Sequence, residues 1–91
     1  MSVAIIGGNE CMERRYIDLC KQYKCKAKVF TKPKGMSNRI GKPDMVVFFT
    51  NTMSHKMINM AMTALGGDTK IVRSHSSSLA SLKDILNEHA V

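Results

Sequence analysis

Val3-Ala4-Ile5-Ile6-Gly7-Gly8-Asn9-Glu10 is the stretch on which the fold turns. Four apolar residues run into a glycine pair and an acid, and a helical pattern follows at once. An α/β domain opens this way, with a strand, a tight turn and a helix. The unbroken apolar run points to a strand covered on both faces. The glycine pair also sets backbone N–H groups at the start of a helix, where such folds hold anions.

Outward from there, residues 10–24 read as a helix. Met12, Tyr16, Leu19, Cys20 and Tyr23 recur on one face, and Glu13, Arg14, Asp18, Lys21 and Lys24 fill the other. Asn9 suits the N-cap, and Glu10 suits the positive end of the helix dipole. Lys26 to Thr31 reads as a second strand, ended by Lys32-Pro33-Lys34-Gly35. Met36 to Ile40 gives one helical turn. Met45 to Phe49 is the third and most apolar strand, expected beside the first.

Thr50-Asn51-Thr52 closes that strand, and residues 54–65 form a helix capped by Ser54 or Thr52 and stopped by Gly66-Gly67. Lys70 to Arg73 is a fourth strand, and Ser74 to Ser78 a polar turn. Residues 78–89 form the last helix, with Leu79, Leu82, Ile85 and Leu86 inward. Strand and helix alternate throughout, which implies a parallel sheet with helices on both faces. With right-handed crossovers, the expectation is one small flavodoxin-like, three-layer α/β domain over residues 1–91, its four strands in the order 2-1-3-4.

The chain carries 14 Lys and Arg against 7 Asp and Glu, a net charge of +7. Such a surface favours anionic partners, whether nucleic acid, phosphates, acidic metabolites or acidic proteins. No basic segment precedes a long apolar one, so a signal peptide is not expected. No apolar run is long enough for a membrane span. Three cysteines, Cys11, Cys20 and Cys25, fit free thiols in a reducing cytoplasm.

In open parallel sheets ligands bind outside the carboxyl ends of the strands, at the switch point between the first and third. Those ends are all polar here. Gly7, Gly8, Asn9 and Glu10 follow the first strand, Asn51 and His55 the third, and Arg73, Ser74, His75, Ser76 and Ser77 the fourth. Arg73 with the serine hydroxyls and a helix N-terminus could hold a phosphate or carboxylate. One serine capping the helix explains the same segment without a ligand. Gly7-Gly8 could admit an anion or merely allow a tight turn. The chain lacks both the G-x-G-x-x-G and the Walker patterns, so a dinucleotide or triphosphate site is not supported.

His55 and His75 follow adjacent strands, and Cys11 begins the first helix on the same edge. The three could ligate a metal or haem, although no spacing motif accompanies them. Cys11, near Arg14 and Arg15, is also the candidate for a reactive thiol. No carboxylate dyad or nucleophile spacing supports catalysis, so a non-enzymatic role leads. An enzyme with His75 as general base is the weaker reading.

Met57, Ala61, Ala64 and Leu65 make one apolar stripe on the third helix. Ile58, Met62 and Leu65 make a second, suited to a partner surface. A homodimer through helix 54–65 is therefore expected. Lys32, Lys34, Arg39 and Lys42 form a basic loop with no interleaved aromatic residue. They leave nucleic-acid binding as an alternative without a recognisable motif.

Gly7-Gly8-Asn9-Glu10, Lys26-Ala27-Lys28-Val29-Phe30-Thr31, Phe49-Thr50-Asn51-Thr52-Met53-Ser54-His55-Lys56 and Arg73-Ser74-His75-Ser76-Ser77-Ser78-Leu79 together resemble a family of short bacterial proteins, domain of unknown function 2325. The resemblance covers essentially the whole chain and implies a small bacterial cytoplasmic α/β protein. It implies no activity. The family motif is more often Gly-Gly-His-Glu, and Asn9 stands here in place of that histidine. This weakens a metal or catalytic role for the first turn and leaves His55 and His75 untouched.

Overall fold

The structure, a computed structural model, describes residues 1–65 and 67–89, without the side chain of Ser37. Four parallel strands lie in the order β2-β1-β3-β4: β1 Ser2–Gly7, β2 Lys26–Phe30, β3 Met45–Phe49 and β4 Lys70–Ser74. This is the order expected from the alternation. Helices α1 (Glu13–Gln22), α2 (Met36–Arg39), α3 (His55–Leu65) and α4 (Leu79–His89) connect and follow them. Gly66, half of the expected stop for α3, lies outside the described residues.

Strand alternation builds two cores, one on each face of the sheet. Val3, Ile5, Met45, Val47 and Phe49 face α1 and α4, where Tyr16, Cys20, Leu82 and Leu86 close over them. Ala4, Ile6, Val46 and Phe48 face the other way, under Met36 of α2 and Met57, Ala61 and Leu65 of α3. Every residue of β3 is buried, as a central strand between two helical layers requires. Tyr16 and Phe49 pack with ring centroids 5.4 Å apart and tilted by 45°. An aromatic pair of this kind adds about 1 kcal/mol beyond its buried area.

The outer strands differ from the inner pair. On β2, exposed Lys26 and Lys28 alternate with half-buried Ala27 and Val29. On β4, Ile71 and Val72 are half-buried, one against each core.

The first helix departs from its expected start. Glu10–Met12 form a 3-10 turn, and the α-helix begins at Glu13. The cause is local: Asn9 Oδ1 accepts the Cys11 N–H at 2.9 Å, and Met12 N–H reaches the Asn9 carbonyl at 2.9 Å. That short turn caps the tighter helix instead of α1 itself. A second 3-10 turn, Thr50–Thr52, closes β3. Ser54 rather than Thr52 caps α3, accepting the Met57 N–H at 3.2 Å. Among the described residues no helix is long and apolar enough to cross a membrane.

Candidate functional site

A parallel sheet sends all its carboxyl ends to one edge. The order β2-β1-β3-β4 sets the chain ends leaving β1 and β3 side by side there. The polar segments after all four strands therefore share one rim.

On that rim the glycine pair is packed, not open. A Cβ on Gly7 (φ +92°) would stand 2.8 Å from Thr52 Oγ1 and 2.9 Å from the Phe49 carbonyl. One on Gly8 (φ +88°) would stand 2.9 Å from Tyr16 Cε2. Both positive φ and close approach call for glycine. The Gly8 N–H already donates to Thr52 Oγ1 at 2.6 Å, and Thr52 in turn donates to the Phe49 carbonyl at 3.0 Å. The Asn9 N–H points at the Tyr16 hydroxyl at 3.5 Å. The first-turn amides thus join β1 to β3 and α1.

The acid after β1 is engaged as well. Glu10 pairs with Lys32, beyond β2, at 2.9 Å, and both side chains are exposed. This contact holds the Lys32 ammonium above its ordinary pKa, through the hydrogen bond first and the carboxylate charge second.

The serine segment is internally bonded. Ser74 Oγ donates to the Ser76 carbonyl at 2.8 Å, and Ser76 Oγ to Ser78 Oγ at 3.1 Å. Ser78 Oγ accepts the Ser81 N–H at 3.2 Å and caps α4. Two bonds tie this loop to its neighbours. Thr50 Oγ1 donates to the Ser74 carbonyl at 3.4 Å, and the Tyr16 hydroxyl donates to the Ser77 carbonyl at 2.6 Å.

Arg73 does not share the face of the serine loop. It stands two residues from Ile71, which packs in the core under α3, and its β3 partner Phe48 belongs to that core too. Strand alternation therefore directs Arg73 towards the α3 side, whereas α4 starts on the other. Arg73, Asn51, His55 and His75 are all exposed. The first amides of α3 have no intrahelical acceptor, and the Ser54 side chain, outside the helix, takes that of Met57. On the α3 side of the rim, Arg73, Asn51 and His55 are thus exposed side-chain donors that no hydrogen bond among the described residues engages.

Cys11 is exposed in the 3-10 turn and is a free thiol. Among the described residues no group of three or more His, Cys, Asp or Glu side chains is placed to hold a metal ion, so Cys11, His55 and His75 do not assemble as one. Among the same residues no buried side-chain polar atom lacks a partner. A ligand on this rim would be met by exposed groups.

Two residues that organise the rim were read from the sequence only as structural. Tyr16 fell on the core face and Thr52 was an alternative cap. A tyrosine at a core position does carry a signal, because its buried hydroxyl needs a partner. The sequence does not show which partner.

A family model described as "Uncharacterized protein conserved in bacteria (DUF2325)" matches residues 2–89. No curated protein and no solved structure matches the chain.

Proposed function

The chain belongs to the DUF2325 family of bacterial proteins, and we propose that it is a ligand-binding or regulatory domain that holds an anionic small molecule at the carboxyl ends of its strands. The observation that carries this is the corner formed by Arg73, Asn51 and the start of α3. Arg73 supplies a fixed positive charge and a planar donor fork suited to phosphate or carboxylate. The α3 N-terminus adds N–H donors and the positive end of its dipole. His55 and Asn51 offer side-chain donors beside it. Gly7, Gly8, Asn9 and Glu10 serve as a wall in which the Gly8 and Asn9 amides are already used, and Ser74, Ser76 and Ser77 close the far side of the rim.

Self-association belongs to the same reading. On α3, Ile58 is half-buried, and Met62, at 43% exposure, is one of two large apolar side chains left in solvent among the described residues. A second copy would cover this stripe.

The test is a thermal-shift and calorimetric screen of phosphate, sulfate and small carboxylates against the wild type, Arg73→Ala and Ser76→Ala. Binding by the wild type that weakens in Arg73→Ala supports the reading. Unchanged affinity in both variants removes the site.

A further inference from the structure

The net positive charge of this protein comes from one edge of the sheet. Residues 19–43 hold eight of the 14 Lys and Arg and no Asp or Glu, while the rest of the chain carries six cations against seven acids. The topology gathers these eight around the outer strand β2. Lys21 and Lys24 lie at the end of α1, and Lys26 and Lys28 on β2 itself. Lys32 and Lys34 follow the strand, and Arg39 and Lys42 flank the end of α2. All eight are exposed.

Little within the chain neutralises them. Among the described residues Lys32 alone of the eight has an acidic partner, Glu10. Lys28 Nζ donates to the Arg39 carbonyl at 3.1 Å, which ties the β2 edge to α2. A groove of about 520 Å³ runs between them, lined by Lys28, Arg39 and Asn38, with Glu13 as its acid. Lysines on an outer strand also block unwanted strand pairing. That explains Lys26 and Lys28 but not the six cations off the strand.

We propose that this edge docks the phosphate backbone of a nucleic-acid duplex, without reading its sequence. The chemistry of the edge selects this occupant. Seven lysines and one arginine are mostly point charges, which suit phosphates more than base edges. Phe30, the aromatic residue of β2, is buried, so the strand presents no platform for stacking single-stranded bases. Protein–protein interfaces are depleted in lysine and enriched in aromatic anchors, the reverse of this edge. A membrane surface calls for exposed apolar side chains beside the charges. The large ones left exposed among the described residues are Met1 and Met62, neither within the basic segment.

The experiment is fluorescence anisotropy with a labelled random-sequence duplex of about 20 base pairs, titrated from about 50 to 200 mM salt. Binding should weaken with a log–log slope of about −3.6 if four phosphates are engaged. The triple variant Lys26→Glu, Lys34→Glu, Lys42→Glu should lose affinity by tenfold or more, as several phosphate contacts are reversed. The variant Lys56→Glu, Lys70→Glu, Lys83→Glu changes net charge equally and should lose far less. The alanine version of the first triple, which avoids charge reversal, should give a smaller loss of the same kind even if the glutamate version fails to fold. No binding at the lowest salt overturns the proposal, as does equal loss in the edge and control variants. Tighter binding to polyglutamate or to anionic vesicles than to the duplex overturns it in favour of an acidic protein or a membrane.

Discussion

The Tyr16 hydroxyl donates to the Ser77 carbonyl at 2.6 Å across 61 residues of sequence. The ring is fully buried beneath Gly8, so one side chain joins α1, the turn after β1 and the loop before α4. Tyr16→Phe keeps the ring and deletes this link. It leaves a carbonyl without its partner, and the expected cost is about 1–3 kcal/mol. Urea denaturation reads it. A loss near zero would mean that water replaces the hydroxyl at no cost.

Gly7 and Gly8 should both resist a methyl group, to different degrees. Gly7→Ala would press against the Phe49 backbone carbonyl, which cannot swing away, whereas Gly8→Ala meets a tyrosine ring. Each also forces alanine to positive φ, at about 1–2 kcal/mol. Gly7→Ala should therefore melt lower than Gly8→Ala, and both below the wild type. A Gly7→Ala protein as stable as the wild type would contradict the packing of this turn.

Burial pushes the Cys20 thiol from its ordinary 9.0 up to about 12, and neighbouring Cys25 adds to the shift. The unfolded chain ionises this thiol near the ordinary value, and the folded chain does so only near the raised one. Stability from this group is thus complete below pH 9 and is lost as pH rises towards 12. The limiting slope is about 1.4 kcal/mol per pH unit. Cys20→Ala should flatten the alkaline limb of the stability profile. An identical limb in the variant would assign it to other groups.

Self-association through α3 should depend on Met62. In sedimentation velocity the wild type should run as a dimer and Met62→Glu as a monomer, because the substitution places a charge on the stripe beside Ile58. A monomeric wild type, or a dimer indifferent to the change, would remove α3 as the contact.

The sheet was legible in the sequence because its signals are local. Met45 to Phe49 is short, unbroken in its apolar character and β-branched or aromatic at four positions, which favours a covered strand, and the alternation of strand with helix leaves few arrangements. The rim was less legible because its bonds are not local. Gly7-Gly8 read either as an anion cradle or as a tight turn. What decides is Thr52, 44 residues from Gly8, which takes the amide an anion would need. Arg73 and the serines are contiguous in sequence, yet strand alternation sends the arginine to the face opposite α4. The start of α1 was misplaced because Asn9 caps a 3-10 turn, a choice made by one side-chain bond.

The two cores differ in chemical durability. Beneath α2 and α3 lie Met36 and Met57, with Met53 and Met60 packed at the margin, and Met62 stands outside on the same helix. The opposite layer is closed by Tyr16, Leu82, Ile85 and Leu86, with Met45 fully buried and Met12 half-buried at its margin. Sulfoxidation turns a pliable apolar side chain into a polar one. Under oxidative stress damage would enter at Met62, spread to the marginal Met53 and Met60, and loosen α3 sooner than α1 and α4, whose layer has Met12 as its marginal methionine among the described residues. The protein would age from one side.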